Sequence, residues 1–173
     1  MLDAAKYSSP GSLRDGRTIE IRALRPTDQA NLLAAVDRIG SQSMYRRFMG
    51  AKRHFSEKER AFFVNVNFTD HVALVAVIQE DGHQTIIAGG RYIVDRPGSA
   101  EVAFAVIDQY QGQGIGAALL QHLAVLARDA GLKEFTAEVL PDNAAMLKVF
   151  EKGGLESRLK RAPGVVHVTL QLG

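Results

Sequence analysis

Two hydrophobic periods divide the chain into predicted strands and helices. Alternation of apolar and polar residues, together with one continuous β-branched run, predicts strands at residues 18–24, 71–79, 84–94, 101–106, 134–140, 155–160 and 165–172. Helical spacing of apolar residues predicts helices at 27–39, 41–48, 56–64, 115–130 and 143–152. The early strands follow one another as hairpins, the clearest of them across Asp81-Gly82. A strand–helix–strand crossover comes later. The order predicts an α/β fold whose mixed sheet has six to seven strands and about four flanking helices, antiparallel early and parallel at its centre.

Composition limits the class of protein. At 173 residues the chain has the length of one domain. Residues 1–17 are polar and predict a flexible tail, so the domain is expected to span 18–173. The absence of cysteine excludes disulfides, thiolate metal ligands and a cysteine nucleophile. The five histidines lack metal-ligand spacing, so no metal is expected.

Charge and hydropathy point away from nucleic acid and membrane partners. A formal net charge of +2 is too small to indicate nucleic-acid binding. The basic stretch 14–25 is interpreted as a solvated face. The N-terminus lacks an apolar run, so neither a signal peptide nor a membrane span is predicted, and the expected location is cytoplasmic. No pattern in the sequence sets the oligomeric state, for which a homodimer is the default expectation.

The stretch from Ala100 to Gly131 carries the clearest functional signal. A strand leads into the glycine-rich turn Gln111-Gly112-Gln113-Gly114-Ile115-Gly116, and an amphipathic helix follows. A helix entered through glycines presents unpaired backbone N–H groups and the positive end of its dipole. The stretch therefore predicts a phosphate-binding site.

Other glycine-rich loops fit less well. A nucleoside-triphosphate loop requires Lys-Ser or Lys-Thr after its glycines, and neither is present. A dinucleotide fingerprint requires G-x-G-x-x-G directly after the strand, whereas here the spacing is G-x-G-x-G and residues 108–111 intervene. The alternative that the turn only caps the helix and binds no ligand remains open. Its glycines would then destabilise the fold by about 0.5–1 kcal/mol each without serving a function.

The pattern Q/R-x-x-G-x-G/A of this turn, the preceding strand with Glu101 and the later Asn143 together resemble the GNAT superfamily of acetyl-CoA-dependent N-acetyltransferases. The resemblance covers about residues 18–172. It implies that acetyl-CoA is the donor and that the coenzyme A pyrophosphate lies on the backbone of the turn. The cofactor-binding residues that the resemblance implies are Phe104, Val106, Gln111, Gly112, Gln113, Gly114, Ile115, Gly116, Ala117, Asn143 and Phe150.

The resemblance also implies roles in the chemistry. Glu101 matches the position of the family's usual base, and burial in its apolar strand would suit a carboxylate to accept a proton near neutral pH. Asn143 is expected to reach the pantetheine, and it is equally suited to cap a helix. Many members carry a tyrosine acid where this chain has Phe150, which has no hydroxyl. Tyr45, Tyr92 and Tyr110 are the alternatives that the sequence leaves open.

The acceptor is predicted less directly. Residues 41–48, which include Tyr45 and Phe48, are similar to the catalytic domain of larger bacterial protein-lysine acetyltransferases. The resemblance implies a primary amine as acceptor, with a protein lysine as the leading hypothesis. The alternatives are a small-molecule amine, a non-catalytic acyl-CoA sensor with the same fold, and a nucleotide-binding regulatory domain.

Overall fold

The computed structural model describes residues 3–38 and 66–173. The strands are β1 (Ser8–Ser12), β2 (Thr18–Ala23), β3 (His71–Glu80), β4 (His83–Arg96), β5 (Ser99–Val106), β6 (Glu134–Val139), β7 (Ser157–Ala162) and β8 (Val165–Gln171). The α-helices in these residues are α1 (Gln29–Asp37), α2 (Ile115–Asp129) and α3 (Ala144–Lys152), and short 3₁₀ helices cover Ala4–Lys6, Pro26–Asp28 and Asp108–Tyr110. The helices predicted at 41–48 and 56–64, with Tyr45 and Phe48, lie outside the described residues.

The described strands form one mixed sheet in the order β1-β2-β3-β4-β5-β6-β8-β7. Neighbouring strands are antiparallel except β5 and β6, which are parallel and joined through α2. The predicted fold class is therefore confirmed. The counts differ slightly, because the described residues hold eight strands rather than six to seven and three α-helices rather than about four.

The additional strand is β1, which lies in the segment expected to be a flexible tail. It pairs with β2 along its whole length, from Ser8 opposite Arg22 to Ser12 opposite Thr18. Its sequence, Ser-Ser-Pro-Gly-Ser, has no apolar alternation by which a strand is recognised, and an edge strand tolerates the missing N–H of Pro10. The structure thus differs from the expected tail over residues 8–12, whereas the boundary at residue 18 stays a prediction.

The core lies between the sheet and α2. In β3, residues 71–78 are all buried, as predicted for a central strand. The apolar face of α2, with Leu119 and Leu123 fully buried, packs on β3, β4 and β5. Gly90 makes this packing possible, because a Cβ there would lie 2.7 Å from Cδ1 of Phe104 and 3.2 Å from Cδ1 of Leu123.

A buried ion pair connects β2 to the start of α1. The Arg22 guanidinium donates two hydrogen bonds to the Asp28 carboxylate, at 2.8 and 2.9 Å, and both side chains are about 5% exposed. Asp28 also accepts from the backbone N–H of Arg25 at 2.7 Å. Burial acts to raise the pKa of Asp28, but these hydrogen bonds and the arginine charges outweigh it and hold the pKa below its usual range.

Candidate active site

The two parallel strands separate and open a wedge in the sheet. Strands β5 and β6 pair over three positions, from Ser99 opposite Glu134 to Glu101 opposite Thr136. Beyond Glu101, β5 continues to Val106 against β4, and β6 continues to Val139 against β8. The carboxyl ends of the two strands therefore diverge.

A cavity of about 560 Å³ lies at this wedge, within the usual range for small-molecule sites. Its lining comes from β5, β6, α3 and the turn that leads into α2, together with the β1–β2 turn. All predicted site residues except Gln113 line it. The structure thus brings together residues that are up to 49 positions apart in the sequence, from Glu101 to Phe150.

The edge of β5 that faces the wedge presents backbone N–H and C=O groups that do not pair with β4. The N–H of Ile107, the residue after β5, donates to the carbonyl of Ile87 in β4 at 3.0 Å. By strand alternation the backbone groups of Phe104 and Val106 therefore point away from β4, towards the wedge. The Val106 carbonyl accepts from Nε2 of Gln111 at 3.2 Å. An extended polar ligand could add to this edge in the manner of another strand.

The glycine turn presents the N-terminus of α2 to the cavity. Gly112 and Gly114 have φ of +79° and +86°, in the left-handed region, and a Cβ at either would meet nothing within 4 Å. Glycine is thus required there by backbone conformation rather than by crowding. Gly114 is the N-cap of α2 and provides no side-chain cap, so the first N–H groups of the helix are not satisfied by it. Such an N-terminus binds anions.

Gly116 has a different function from the other two glycines. A Cβ at this position would lie 2.8 Å from Cγ2 of Val149 in α3. Gly116 therefore allows α3 to pack closely on the first turn of α2. Gln113 does not line the cavity, and its Oε1 is buried without a hydrogen-bond partner among the described residues, so its contact with the cofactor stays a prediction.

Tyr110 holds the segment that precedes the glycines. Its ring is buried, and its hydroxyl donates to Oε2 of Glu80 at 2.5 Å. Glu80 also accepts two hydrogen bonds from Arg38, at 2.9 and 3.1 Å, and the Arg17 guanidinium lies 5.0 Å from the centre of the Tyr110 ring. Hydrogen bonds from Arg38 and Tyr110 lower the pKa of Glu80, while burial and the bond to Glu80 raise the pKa of Tyr110. No sequence pattern predicts this network, because its members lie far apart along the chain.

This arrangement bears on the open question of a tyrosine acid. Tyr110 lines the cavity, but its hydroxyl proton is directed at Glu80. Tyr92 is buried in the core at 1% exposure, and burial followed by the charge of Asp129 raises its pKa to about 12. Neither hydroxyl is positioned to protonate a leaving group in the cavity.

Glu101 lines the cavity but is exposed, contrary to the expected burial. It projects from the face of β5 opposite to the buried Val102 and Phe104, because strand side chains alternate. Its neighbours across the sheet are Ile93 in β4 and Thr136 in β6. A role as a base therefore rests on the position of this carboxylate and not on its burial.

Asn143 has the capping role that was expected of it, and its contact with the pantetheine stays a prediction. It is the N-cap of α3, and its Oδ1 accepts from the N–H of Met146 at 3.1 Å. The side chain is buried and lines the cavity. In the described part of the chain no group accepts from its Nδ2, so that amide can donate to a ligand.

Basic side chains lie at the cavity as well. Arg14, Lys148 and Lys152 line it, with Glu101 and Glu138 as the acidic counterparts. These three cations are not among the predicted site residues, and the stretch that contains Arg14 was expected to be a solvated face. The cations, the open helix N-terminus and the strand edge together fit an anionic ligand with an extended polar arm, as acetyl-CoA is.

Two further features concern metals and membranes. Within residues 3–38 and 66–173, no cluster of three or more His, Asp or Glu side chains could hold a metal ion. Among the helices of those same residues, none is long and apolar enough to span a membrane.

The fold and the site define a protein of the acyl-CoA-dependent transferase class, and comparison with known proteins identifies the family. The Acetyltransferase (GNAT) family matches residues 41–155, and the chain belongs to that family. Acetyl-CoA is the acyl donor of the family, so the predicted family, donor and enzyme class are confirmed.

Individual relatives carry names consistent with this family. The chain is 33% identical over 147 residues to Acetyltransferase Pat of Mycolicibacterium smegmatis. The aligned region covers 84% of this chain and 43% of that protein. It is 30% identical over 136 residues to Acetyltransferase PA5475 of Pseudomonas aeruginosa, covering 78% of this chain and 73% of that one. The GNAT domain of S. lividans PAT superposes with a TM-score of 0.85 at 34% identity, covering 95% of this chain and 96% of that domain. The chain thus spans less than half the length of the mycobacterial relative.

Proposed function

We propose that this chain binds acetyl-CoA in the wedge between β5 and β6 and transfers the acetyl group to the side-chain amine of a protein lysine. The observation that carries the proposal is a single cavity with the open N-terminus of α2 and the carboxylate of Glu101 both in its lining. The first is suited to bind phosphate, and the second is suited to accept a proton.

Each part of the site has a task in this proposal. The N–H groups around Gly112 and Gly114 hold the pyrophosphate, and the β5 edge at Phe104 and Val106 orients the pantetheine arm. Nδ2 of Asn143 donates to that arm from the opposite wall. When bound, acetyl-CoA supplies a thioester carbonyl that an amine can attack.

Glu101 would prepare the acceptor. A lysine ammonium has an ordinary pKa of about 10.4 and must lose a proton before its nitrogen can attack. The exposed Glu101 carboxylate takes that proton directly or through one water. A C–N bond then forms, the C–S bond breaks, and the second proton lost by the nitrogen passes to the departing sulfur. A thiol of the cysteine kind has an ordinary pKa of about 8.5, so the thiolate can depart without a tyrosine acid.

A protein lysine is proposed as acceptor for three reasons. Residues 41–48 are similar to protein-lysine acetyltransferases, and two of the relatives bear the name Pat. The cavity is also open at Glu101, the place where an amine on the surface of a folded protein would have to approach.

An acceptor screen tests the proposal. The protein is incubated with acetyl-CoA and either a panel of folded proteins or a panel of polyamines and amino acids. Thiol release and intact mass are followed, and peptide mapping locates acetyl-lysine. Enzyme-dependent acetylation of specific lysines is expected. Acetylation of small amines alone would support the small-molecule alternative, and acetyl-CoA binding without thiol release would support the sensor. If neither acetyl-CoA nor coenzyme A binds at micromolar concentration, the proposal is wrong.

A further inference from the structure

The β1–β2 turn is a rigid part of the site although it precedes the predicted domain boundary. Leu13 is buried in the core at 3% exposure. The turn is closed by hydrogen bonds from the N–H of Leu13 to the carbonyl of Arg17 at 2.9 Å and from the N–H of Gly16 to the carbonyl of Leu13 at 3.0 Å. Gly16 adopts φ of +93°, as the tight turn requires. The position of Arg14 is therefore set by its neighbours in the turn.

This turn lies against the segment that leads into the glycines. Arg17 lies over the ring of Tyr110, which is itself held by Glu80. Arg17 is also paired with Asp15, to which its Nε and Nη2 donate at 3.0 and 2.8 Å. The Arg17 charge is therefore largely compensated. Arg14, the neighbouring cation, lines the same cavity as Gln111 and Gly112.

The charge around the glycine turn makes Arg14 significant. Between Ile107 and Ala117 the sole charged residue is the acidic Asp108, and the first motif position is the neutral Gln111. The Gln111 side chain is moreover directed at the carbonyl of Val106. Backbone N–H groups can bind the phosphates but carry no full charge. A cation that compensates the phosphate charge therefore has to come from another segment of the chain.

We propose that Arg14 is a phosphate-binding residue of the acetyl-CoA site, supplying from the β1–β2 turn the positive charge that Gln111 lacks. The proposal rests on the placement of the cofactor proposed above. Coenzyme A offers two anionic groups, the pyrophosphate and the 3′-phosphate, and a guanidinium binds either by paired hydrogen bonds. Lys148 and Lys152, which line the cavity from α3, contribute further positive charge.

Calorimetric binding of three ligands tests the role of Arg14. Coenzyme A, 3′-dephospho-coenzyme A and pantetheine are titrated into the wild-type protein and into Arg14→Gln. The matched control is Arg158→Gln, which removes the same charge from an exposed arginine on β7, outside the cavity. Because Arg14 and Arg158 are both exposed, both variants should keep the wild-type melting temperature.

We expect Arg14→Gln to weaken coenzyme A binding by about 10-fold, the loss of one charged hydrogen-bonding partner, and Arg158→Gln to leave it unchanged. Equal weakening for the dephosphorylated ligand assigns Arg14 to the pyrophosphate, and weakening of coenzyme A alone assigns it to the 3′-phosphate. Arg14→Lys should restore part of the affinity. Two results would overturn the proposal: unchanged affinity in Arg14→Gln, or an equal loss for pantetheine, which has no phosphate. Failure of the wild-type protein to bind coenzyme A would instead count against the proposed function.

Discussion

The rings of Phe104 and Phe150 meet edge to face, with centroids 6.0 Å apart and planes at 66°. This contact joins β5 to α3 across the wedge, and both rings are about 2% exposed. Each also contributes to the lining of the cavity. Phe150 therefore packs the core and supports the cavity wall at the position where a tyrosine acid was in question.

Replacing Phe150 by alanine should strongly destabilise the fold. The change removes a buried aromatic ring and leaves a cavity, which typically costs about 3–5 kcal/mol. The free energy of unfolding is measured by urea denaturation monitored by circular dichroism. Leu159→Ala is the control, because Leu159 is 52% exposed and its truncation should cost less than about 0.5 kcal/mol. Similar losses for the two variants would show that Phe150 is not part of the core.

The strands and helices of this fold could be predicted because their burial is regular. β3 is apolar throughout, and the hairpin at Asp81-Gly82 forms as expected, with φ of +49° and +79° at its two turn residues. β1 could not be predicted, because an edge strand of polar residues pairs through its backbone and leaves no hydrophobic signal. Its role becomes visible from its pairing with β2.

The part of the site that lies in one continuous stretch of sequence could be predicted. The glycine turn and its neighbours on β5 lie next to each other in the sequence, so spacing was informative. Arg14, Glu80 and the α3 lysines reach the same region through tertiary packing, and no local pattern marks them. The sequence also could not show that the two glycines are required for different reasons. Backbone conformation requires glycine at Gly114, whereas packing against Val149 requires it at Gly116.

The contact between Gly116 and Val149 predicts a defect that a second substitution repairs. In Gly116→Ala the new Cβ would lie 2.8 Å from Cγ2 of Val149, so the Val149 side chain or the helix that carries it must shift. Overpacking of this kind costs about 1–3 kcal/mol, although alanine is favoured over glycine in a helix by about 1 kcal/mol. Because α3 carries Asn143 at its N-cap and Phe150 in the cavity wall, we expect coenzyme A affinity to fall about 10-fold.

The double variant Gly116→Ala/Val149→Ala is the test of that mechanism. Removing the Val149 methyl groups provides space for the new Cβ, so calorimetric affinity for coenzyme A should return towards that of Val149→Ala alone. If the two substitutions instead weaken binding additively, Gly116 does not act through its contact with α3.

The buried pair Arg22–Asp28 predicts a dependence of stability on pH. Asp28→Asn leaves the Arg22 guanidinium buried without its counter-charge, which typically costs about 3–5 kcal/mol at neutral pH. The pKa of Asp28 is lower in the folded protein than its usual value of 3.8, so its contribution is complete above about pH 5 and declines as pH falls through the folded pKa.

Urea denaturation of both proteins at pH 7 and at pH 3 measures this effect. The difference in free energy of unfolding between wild type and Asp28→Asn should be largest at pH 7 and smaller at pH 3, which lies below the usual pKa of 3.8, because unfolding of the wild type is then favoured by proton uptake at Asp28. A difference that stays constant between the two pH values would mean that the ionised form of Asp28 is not what stabilises the pair.

Replacing Glu101 by glutamine should separate chemistry from binding. The glutamine side chain keeps the shape of the carboxylate but cannot accept a proton, so kcat with a lysine acceptor should fall by about 100-fold or more. The affinity for coenzyme A should not change, because the phosphate-binding turn and the β5 backbone are unaltered. The increase of kcat/KM with pH that reports an essential base should also shift in the variant, towards the intrinsic ionisation of the amine.

Glu151→Gln, at an exposed carboxylate of α3 outside the cavity lining, is the matched control and should keep wild-type kcat. If Glu101→Gln leaves kcat and the pH profile unchanged, the base is another group or water. Glu101 would then be a residue that lines the cavity without taking part in the chemistry.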